Sequence, residues 1–70
     1  MKIKYRETIT SSTLLEARRE RIKREKWLHS MGIEYKLNTE GYDAESLVPI
    51  RIWRFNSEQD RTLFILKWGH

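Results

Sequence analysis

The stretch TLLEARRERIKREKWLHSM at residues 13–31, followed by Gly32, decides the fold of this chain. Thr13 and Glu16 have the spacing of a capping box, in which the hydroxyl accepts a hydrogen bond from a first-turn N–H. After the cap, the stretch contains no Gly or Pro and one β-branched residue, Ile22, so its helix propensity is favourable throughout. Gly32 suits the left-handed conformation that commonly ends a helix. The pattern predicts one long helix over residues 13–31.

The predicted helix has two different faces. One arc of its surface, at about 100° per residue, is apolar and comprises Leu14, Leu15, Ala17, Ile22 and Leu28. On the opposite side, Arg19, Lys23 and Lys26 align at spacings i, i+4 and i+7. Such an alignment is either an ordinary solvated surface or a set of phosphate contacts, and the basic balance of the chain supports the second interpretation.

Composition excludes several classes of protein. The seventy residues suffice for one small α+β domain, residues 1–70, and a domain of this size is marginally stable unless it binds a partner. The absence of Cys excludes disulfides, iron–sulfur clusters and cysteine-ligated zinc, and two His residues are too few for a metal site. The longest apolar run has four residues, far too short for a membrane span. We therefore expect a cytoplasmic protein that uses no cofactor or metal and does not contact a membrane.

Four segments have the pattern of β-strands. Residues 1–10 alternate between an apolar side and a side that carries Lys2, Lys4 and Arg6. Three later segments alternate or are rich in β-branched and aromatic residues, namely 33–38, 50–55 and 61–68. The acidic, turn-rich segment 38–46 predicts the longest loop. The order β-α-β-β-β predicts an α+β two-layer sandwich, with one long helix packed on a mostly antiparallel sheet.

The last two predicted strands are expected to form a hairpin around residues 56–60, NSEQD. A five-residue loop places Ile52 and Phe64 on the core side and leaves Trp53 on the outer, aromatic and basic side. A four-residue loop instead makes both faces apolar, since a shift of one residue exchanges the two sides of a strand. The first register is preferred, and it leaves one sheet face without a covering layer.

The outer side of this hairpin is a candidate binding surface. Aromatic rings on a basic sheet stack on the bases of nucleic acid while nearby cations contact the phosphates. The residues expected to bind nucleic acid, on the helix and on this sheet face, are Arg19, Lys23, Lys26, Arg51, Trp53, Arg54 and Lys67, with Phe55 and Trp68 beside them. The alternative is that the aromatic residues form the core, as large rings in small domains commonly do.

The charge distribution indicates the same class of partner. Residues 1–31 carry nine Lys and Arg against four Glu, a net of +5, whereas residues 32–70 carry five against six acidic residues, a net of −1. One basic face is therefore expected. An enzyme is not expected, because no nucleophile, base and orienting group occur at a usable spacing.

Two functions remain. The first is a small nucleic-acid-binding accessory protein that contacts the phosphate backbone through charge and shape. The second is a non-enzymatic interaction module, or a phage- or virus-type inhibitor, that binds an acidic protein surface through the uncovered sheet face. In either case we expect a homodimer or a partner-bound form, because a sheet face without a covering layer exposes apolar surface.

Overall fold

The computed structural model describes residues 1–69 and contains two helices and a three-stranded antiparallel sheet. The elements follow the order β1 (Ile3–Arg6), α1 (Leu14–Met31), β2 (Tyr35–Tyr42), β3 (Pro49–Phe55) and α2 (Glu58–Trp68). The prediction of an α+β fold with a long helix and an antiparallel sheet is confirmed, whereas the expected last strand is a helix. Within residues 1–69, neither helix is both long and apolar enough to cross a membrane.

The central strand is β3, with β1 on one side and β2 on the other. Both pairings are antiparallel, and they place Lys4 of β1 and Lys36 of β2 directly opposite Arg54 of β3. Since side chains alternate between the two faces of a strand, residues in one lateral line share a face. The register therefore determines which side chains meet on each face.

The helix prediction for residues 13–31 is confirmed at both ends. Thr13 is the N-cap, and its Oγ1 accepts a hydrogen bond from the Glu16 N–H at 3.2 Å. The Glu16 carboxylate accepts hydrogen bonds from the backbone and hydroxyl of Ser12, one residue before the cap. Gly32 ends the helix in the left-handed conformation, with φ 68°. The capping contacts at both helix ends therefore lie within a few residues of each end.

Only part of the predicted apolar arc of α1 is buried. Ala17 and Leu28 are buried, and Arg24 lies between them on the same narrow stripe of the helix. The exposed members of the arc are Leu14, Leu15 and Ile22. The stripe is narrow because α1 shares one face of a small sheet with α2, so that only a limited part of its surface is covered.

The strand β2 continues into the segment predicted as a loop. The chain stays paired with β3 as far as Tyr42, which lies opposite Pro49, and the loop is reduced to residues 43–48. An irregularity in the register precedes Tyr42, and there Gly41 has φ 138°. Such an irregularity accommodates turn-forming residues within a strand without ending the pairing.

The predicted strand at residues 61–68 and its hairpin are wrong, because this part of the chain forms α2. Ser57 caps the helix, and its Oγ accepts a hydrogen bond from the Asp60 N–H at 3.2 Å. Acidic residues in the first turn and Lys67 in the last turn complement the helix dipole. The apolar run suits a strand and a helix equally, so the cap spacing of Ser57 and Asp60 was the available signal for a helix.

Both helices pack on the same face of the sheet. The core centres on Leu28 of α1, Phe64 of α2, and Trp53 and Phe55 of β3, and all four are fully buried. The preferred assignment of faces is wrong for β3, because Trp53 and Phe55 face the helices whereas Ile52 lies on the opposite face. The alternative, in which the aromatic residues form the core, is correct for these rings.

Candidate functional site

Two of the predicted site residues, Arg51 and Trp53, are buried beneath the helices. Arg51 is 7% exposed, and its Nη1 donates a hydrogen bond to the carbonyl of Ala17 on α1 at 2.9 Å. Burial lowers the pKa of Arg51, and the nearby Glu7 carboxylate opposes that shift. Trp53 is fully buried. The expected outer platform of aromatic rings therefore does not form, because β3 turns these side chains toward the helices.

The predicted site residues on the helices are exposed. Arg19, Lys23 and Lys26 lie on the side of α1 opposite its buried stripe. Lys67 lies near the end of α2, and its Nζ is 5.4 Å from the ring centroid of Trp68. All four belong to the helix layer, and their role in nucleic-acid binding stays a prediction.

The remaining predicted residue, Arg54, lies on the sheet face that carries no helix. Its cross-strand neighbours are Lys4 on β1 and Lys36 on β2. Lys4, Arg54 and Lys36, here termed the cation row, form a direct lateral line across all three strands. Directly opposed residues on adjacent strands have Cβ atoms about 4.5–5.5 Å apart, so the β-carbons of the row span roughly 9–11 Å.

A second lateral line on the same face comprises Arg6, Ile52 and Asn38. Asn38 Oδ1 accepts a hydrogen bond from Arg54 Nη1 at 2.7 Å, which restrains the guanidinium. Ile52 is 6% exposed, and the hollow beside it has a volume of about 300 Å³. Glu40 also lines this hollow, so the accessible part of the face is polar and mainly basic, although its central residue is apolar.

No member of the cation row forms an ion pair among residues 1–69, although Glu40 lines the same hollow as Lys4 and Arg54. Like charges directly opposite one another on neighbouring strands destabilise a sheet. An anion placed over the row would relieve this repulsion.

The sequence contained only part of the information that assembles this surface. Alternation in the first strand predicts that Lys4 and Arg6 lie on its basic outer side, but it does not mark either residue as a binding residue. Lys36 is not marked as one, because a single exposed Lys on a strand carries no signal. The row exists only because β1 and β2 pair on either side of β3, and nothing in the sequence pattern predicts that strand order.

A buried carboxylate on the helix side was also missed. Glu7, directly after β1, accepts a hydrogen bond from Trp53 Nε1 at 2.9 Å, and its Oε1 lies 2.6 Å from Arg24 Nη1. The Arg24 contact is close but poorly aligned for a hydrogen bond, so charge attraction dominates it. Glu20, one turn before Arg24 on the helix, lies instead 3.8 Å from Lys23. Glu7 thus joins β1, β3 and α1.

A second carboxylate joins β2 to α1. Tyr35 donates its hydroxyl hydrogen to Glu25 Oε2 at 2.7 Å, and Arg21 Nη1 donates to Glu25 Oε1 at 3.0 Å. Burial of the phenol, together with its hydrogen bond to Glu25 and the charge of that carboxylate, raises the pKa of Tyr35 to about 12, and the charge of Arg21 opposes the shift.

This shift predicts a loss of stability in alkali. The pKa of Tyr35 is higher in the folded chain than the ordinary 10.0, so the unfolded chain releases this proton first as the pH rises. The contribution of Tyr35 to the free energy of unfolding is fully present below pH 10.0 and is lost as the pH rises to about 12. The difference in tyrosine absorbance between wild type and Tyr35→Phe should titrate with a midpoint of about 12. A midpoint at the ordinary value would show that the bond to Glu25 does not hold the proton.

Within residues 1–69, no three His, Asp or Glu side chains converge as metal ligands would. The chain matches no protein-family model, no curated protein and no solved structure. Its function is therefore inferred from the geometry and charge of its own surfaces.

Proposed function

We propose that this protein binds the phosphate backbone of nucleic acid through the cation row. The main support is the lateral alignment of Lys4, Arg54 and Lys36, three like charges that form no ion pair among residues 1–69. Cations placed side by side repel one another. A polyanion reverses this effect, since phosphates neutralise the cations and release their own counterions on binding.

The chemistry of the row suits phosphate. The Arg54 guanidinium presents several N–H donors in one plane, which matches two phosphate oxygens, and Asn38 restrains it. Lys4 and Lys36 flank it as point charges on flexible stems, which adjust to the positions of neighbouring phosphates. Arg6 extends the basic surface in the adjacent lateral line.

Binding in this mode is expected to be insensitive to base sequence. Stacking on bases requires exposed aromatic rings, and those of Trp53 and Phe55 are buried on the other side of the sheet. Direct base readout requires side chains inserted into a groove, whereas the cation row lies across one face of a sheet. Affinity would then come from phosphate contacts and depend strongly on salt concentration.

The helical cations are the weaker candidate surface. They lie on the outer side of α1, with the core and the sheet between them and the cation row, so one short segment of nucleic acid would not contact both. Lys23 lies 3.8 Å from the Glu20 carboxylate, which offsets part of its charge. A matched comparison of the two surfaces distinguishes them.

Two double variants with the same charge change make that comparison. Replacing Lys4 and Lys36 by Gln is expected to weaken binding to any oligonucleotide and to shrink the slope of log K against log salt by roughly 0.7–0.9 per lost contact. Replacing Arg19 and Lys23 by Gln removes the same formal charge from the helix layer and is expected to change the slope little. Fluorescence anisotropy with a labelled oligonucleotide, over a range of salt concentrations, measures both.

The stability of the variants provides a second readout. Because Lys4 and Lys36 each face Arg54, their replacement is expected to stabilise the fold by about 0.2–1 kcal/mol in urea unfolding while it weakens binding. Unchanged affinity and slope in this variant would contradict the proposal. An equal loss of affinity in both double variants would show that net charge, and not the cation row, governs binding.

An acidic protein surface is the second candidate partner. An inhibitor would act by binding such a surface. The support for this partner is the burial of Trp53 and Phe55, because a face without exposed rings offers bases nothing to stack on and responds to charge alone. Copurification at low salt, with and without nuclease, separates the two partners. A homodimer through this face is opposed by repulsion between two copies of the cation row, so self-association is expected to use another surface.

A further inference from the structure

A cavity of about 370 Å³ lies on the helix side of the sheet, between the segment after β1, α1 and the end of α2. The residues that line it include Thr8, Thr10, Arg24, Lys67 and Trp68. No member of the cation row lines it. The cavity is therefore a separate place on the molecule from the surface proposed to bind nucleic acid.

Three buried donor atoms of residues that line this cavity make no hydrogen bond among residues 1–69, namely Arg24 Nε, Arg24 Nη1 and Trp68 Nε1. Arg24 is 6% exposed, and its Nη1 lies 2.6 Å from the Glu7 carboxylate. The ion pair thus fixes one end of the guanidinium and leaves Nε unpartnered. A buried donor without an acceptor is costly, and native proteins seldom keep one without a reason. A ligand with acceptor atoms is such a reason.

The lining has more donors than acceptors, and Arg24 adds a buried cation to the accessible charges of Lys67 and Glu20, which are of opposite sign. Arg24, Lys67 and Trp68 only donate hydrogen bonds. Arg24 Cζ lies 5.9 Å and Lys67 Nζ 5.4 Å from the ring centroid of Trp68, so both cations approach the same ring. The carboxylate in the lining is that of Glu20, and Lys23 lies 3.8 Å from it. This donor set favours a ligand that is rich in hydrogen-bond acceptors, such as an oxyanion.

We propose that the cavity binds a small oxyanion, either phosphate or a carboxylate, through Arg24 and Lys67, with Trp68 Nε1 as a further donor. The hydroxyls of Thr8 and Thr10 donate or accept as the ligand requires. The volume of about 370 Å³ leaves room for a small molecule that carries the anionic group. This site goes beyond the nucleic-acid proposal and does not depend on it.

Isothermal titration calorimetry on the full chain tests the site with two probes, inorganic phosphate and acetate, each at an ionic strength fixed with sodium chloride. One saturable site is expected for at least one probe. Lys67→Met is expected to weaken its Kd about tenfold, the loss typical of one hydrogen bond to a charged group. Trp68→Phe keeps an aromatic ring but removes the N–H donor, and it is expected to weaken the Kd as well. Lys26→Met, the matched control on the outer side of α1, is expected to leave the Kd unchanged.

Each outcome decides for or against the site. Saturable binding that falls with Lys67→Met and survives the replacement of Lys4 and Lys36 supports the proposal, and the probe that binds identifies the oxyanion. The absence of saturable heat from both probes overturns it. A Kd that neither Lys67→Met nor Trp68→Phe changes also overturns it, as does an equal loss with Lys26→Met. Binding that disappears only when Lys4 and Lys36 are replaced would place the ion on the cation row, which likewise overturns it.

Discussion

Replacing Trp53 by Ala is expected to destabilise the protein more than any truncation of an exposed side chain. Its side chain is fully buried, its ring centroid lies 4.9 Å from that of Phe64, and its Nε1 donates to Glu7 at 2.9 Å. Truncation of a buried Trp costs about 3–5 kcal/mol, and the loss of one of the two partners of Glu7 adds to this. A domain of this size has a total stability of roughly 4–10 kcal/mol. The expected loss is thus a large fraction of the free energy of unfolding.

Urea unfolding followed by circular dichroism measures this loss, with Leu66→Ala as the control. Leu66 is 76% exposed on α2, so its truncation is expected to change the free energy of unfolding by less than about 0.5 kcal/mol. Trp53→Phe is expected to fall between the two, because it keeps a ring in the core and loses the bond to Glu7. If Trp53→Ala proved as stable as Leu66→Ala, the tryptophan would not be a core residue, and an outer stacking surface would again be possible.

The second large effect is expected at Glu7. An Ala there leaves the Arg24 guanidinium without its counter-charge, although the Arg24 side chain is only 7% exposed. The same change leaves Trp53 Nε1 without its acceptor. Breaking a buried ion pair by removing one partner costs about 3–5 kcal/mol, because the remaining charge stays desolvated. Glu7→Ala is therefore expected to destabilise the fold almost as strongly as Trp53→Ala.

The chain offers a surface ion pair as the matched control. Arg61 and Glu58 on α2 are the same residue types at the same separation, 2.6 Å, but the Glu58 side chain is 70% exposed. Glu58→Ala is expected to cost at most about 1 kcal/mol in urea unfolding. Combining Glu7→Leu with Arg24→Met should recover much of the loss at Glu7, since it removes both buried charges. Equal costs at Glu7 and Glu58 would show that burial does not set the strength of these pairs.

Local sequence patterns were sufficient to predict an element where the contacts that form it lie within a few residues of one another. The bond between Thr13 and Glu16 and the left-handed Gly32 made both ends of α1 predictable. Alternation likewise identified the strands that became β1 and the start of β2, because the two-residue period is a property of the strand itself. These elements account for the confirmed part of the fold.

The last element shows why hydrophobic pattern alone was inadequate. Residues 61–68 carry apolar side chains at both a two-residue and a helical spacing, and β-branched residues among them favour a strand. Two facts favour the helix: the cap at Ser57, and the insertion of Phe64 into the core beside Leu28 and Trp53. The cap at Ser57 is a local signal that the hydrophobic pattern does not contain. The insertion of Phe64 depends on the folded sheet.

The burial of Trp53 and the assembly of the cation row depended on long-range packing. Alternation establishes that Trp53 and Arg54 point to opposite faces, but it does not say which face the helices cover. The ambiguity is greatest in a central strand, where Ile52 on one face and Trp53 on the other are both buried. Lys4 and Lys36 meet Arg54 only because β1 and β2 return to opposite edges of β3. No short segment encodes that pairing, since its free energy comes from burying the face that the three strands form together.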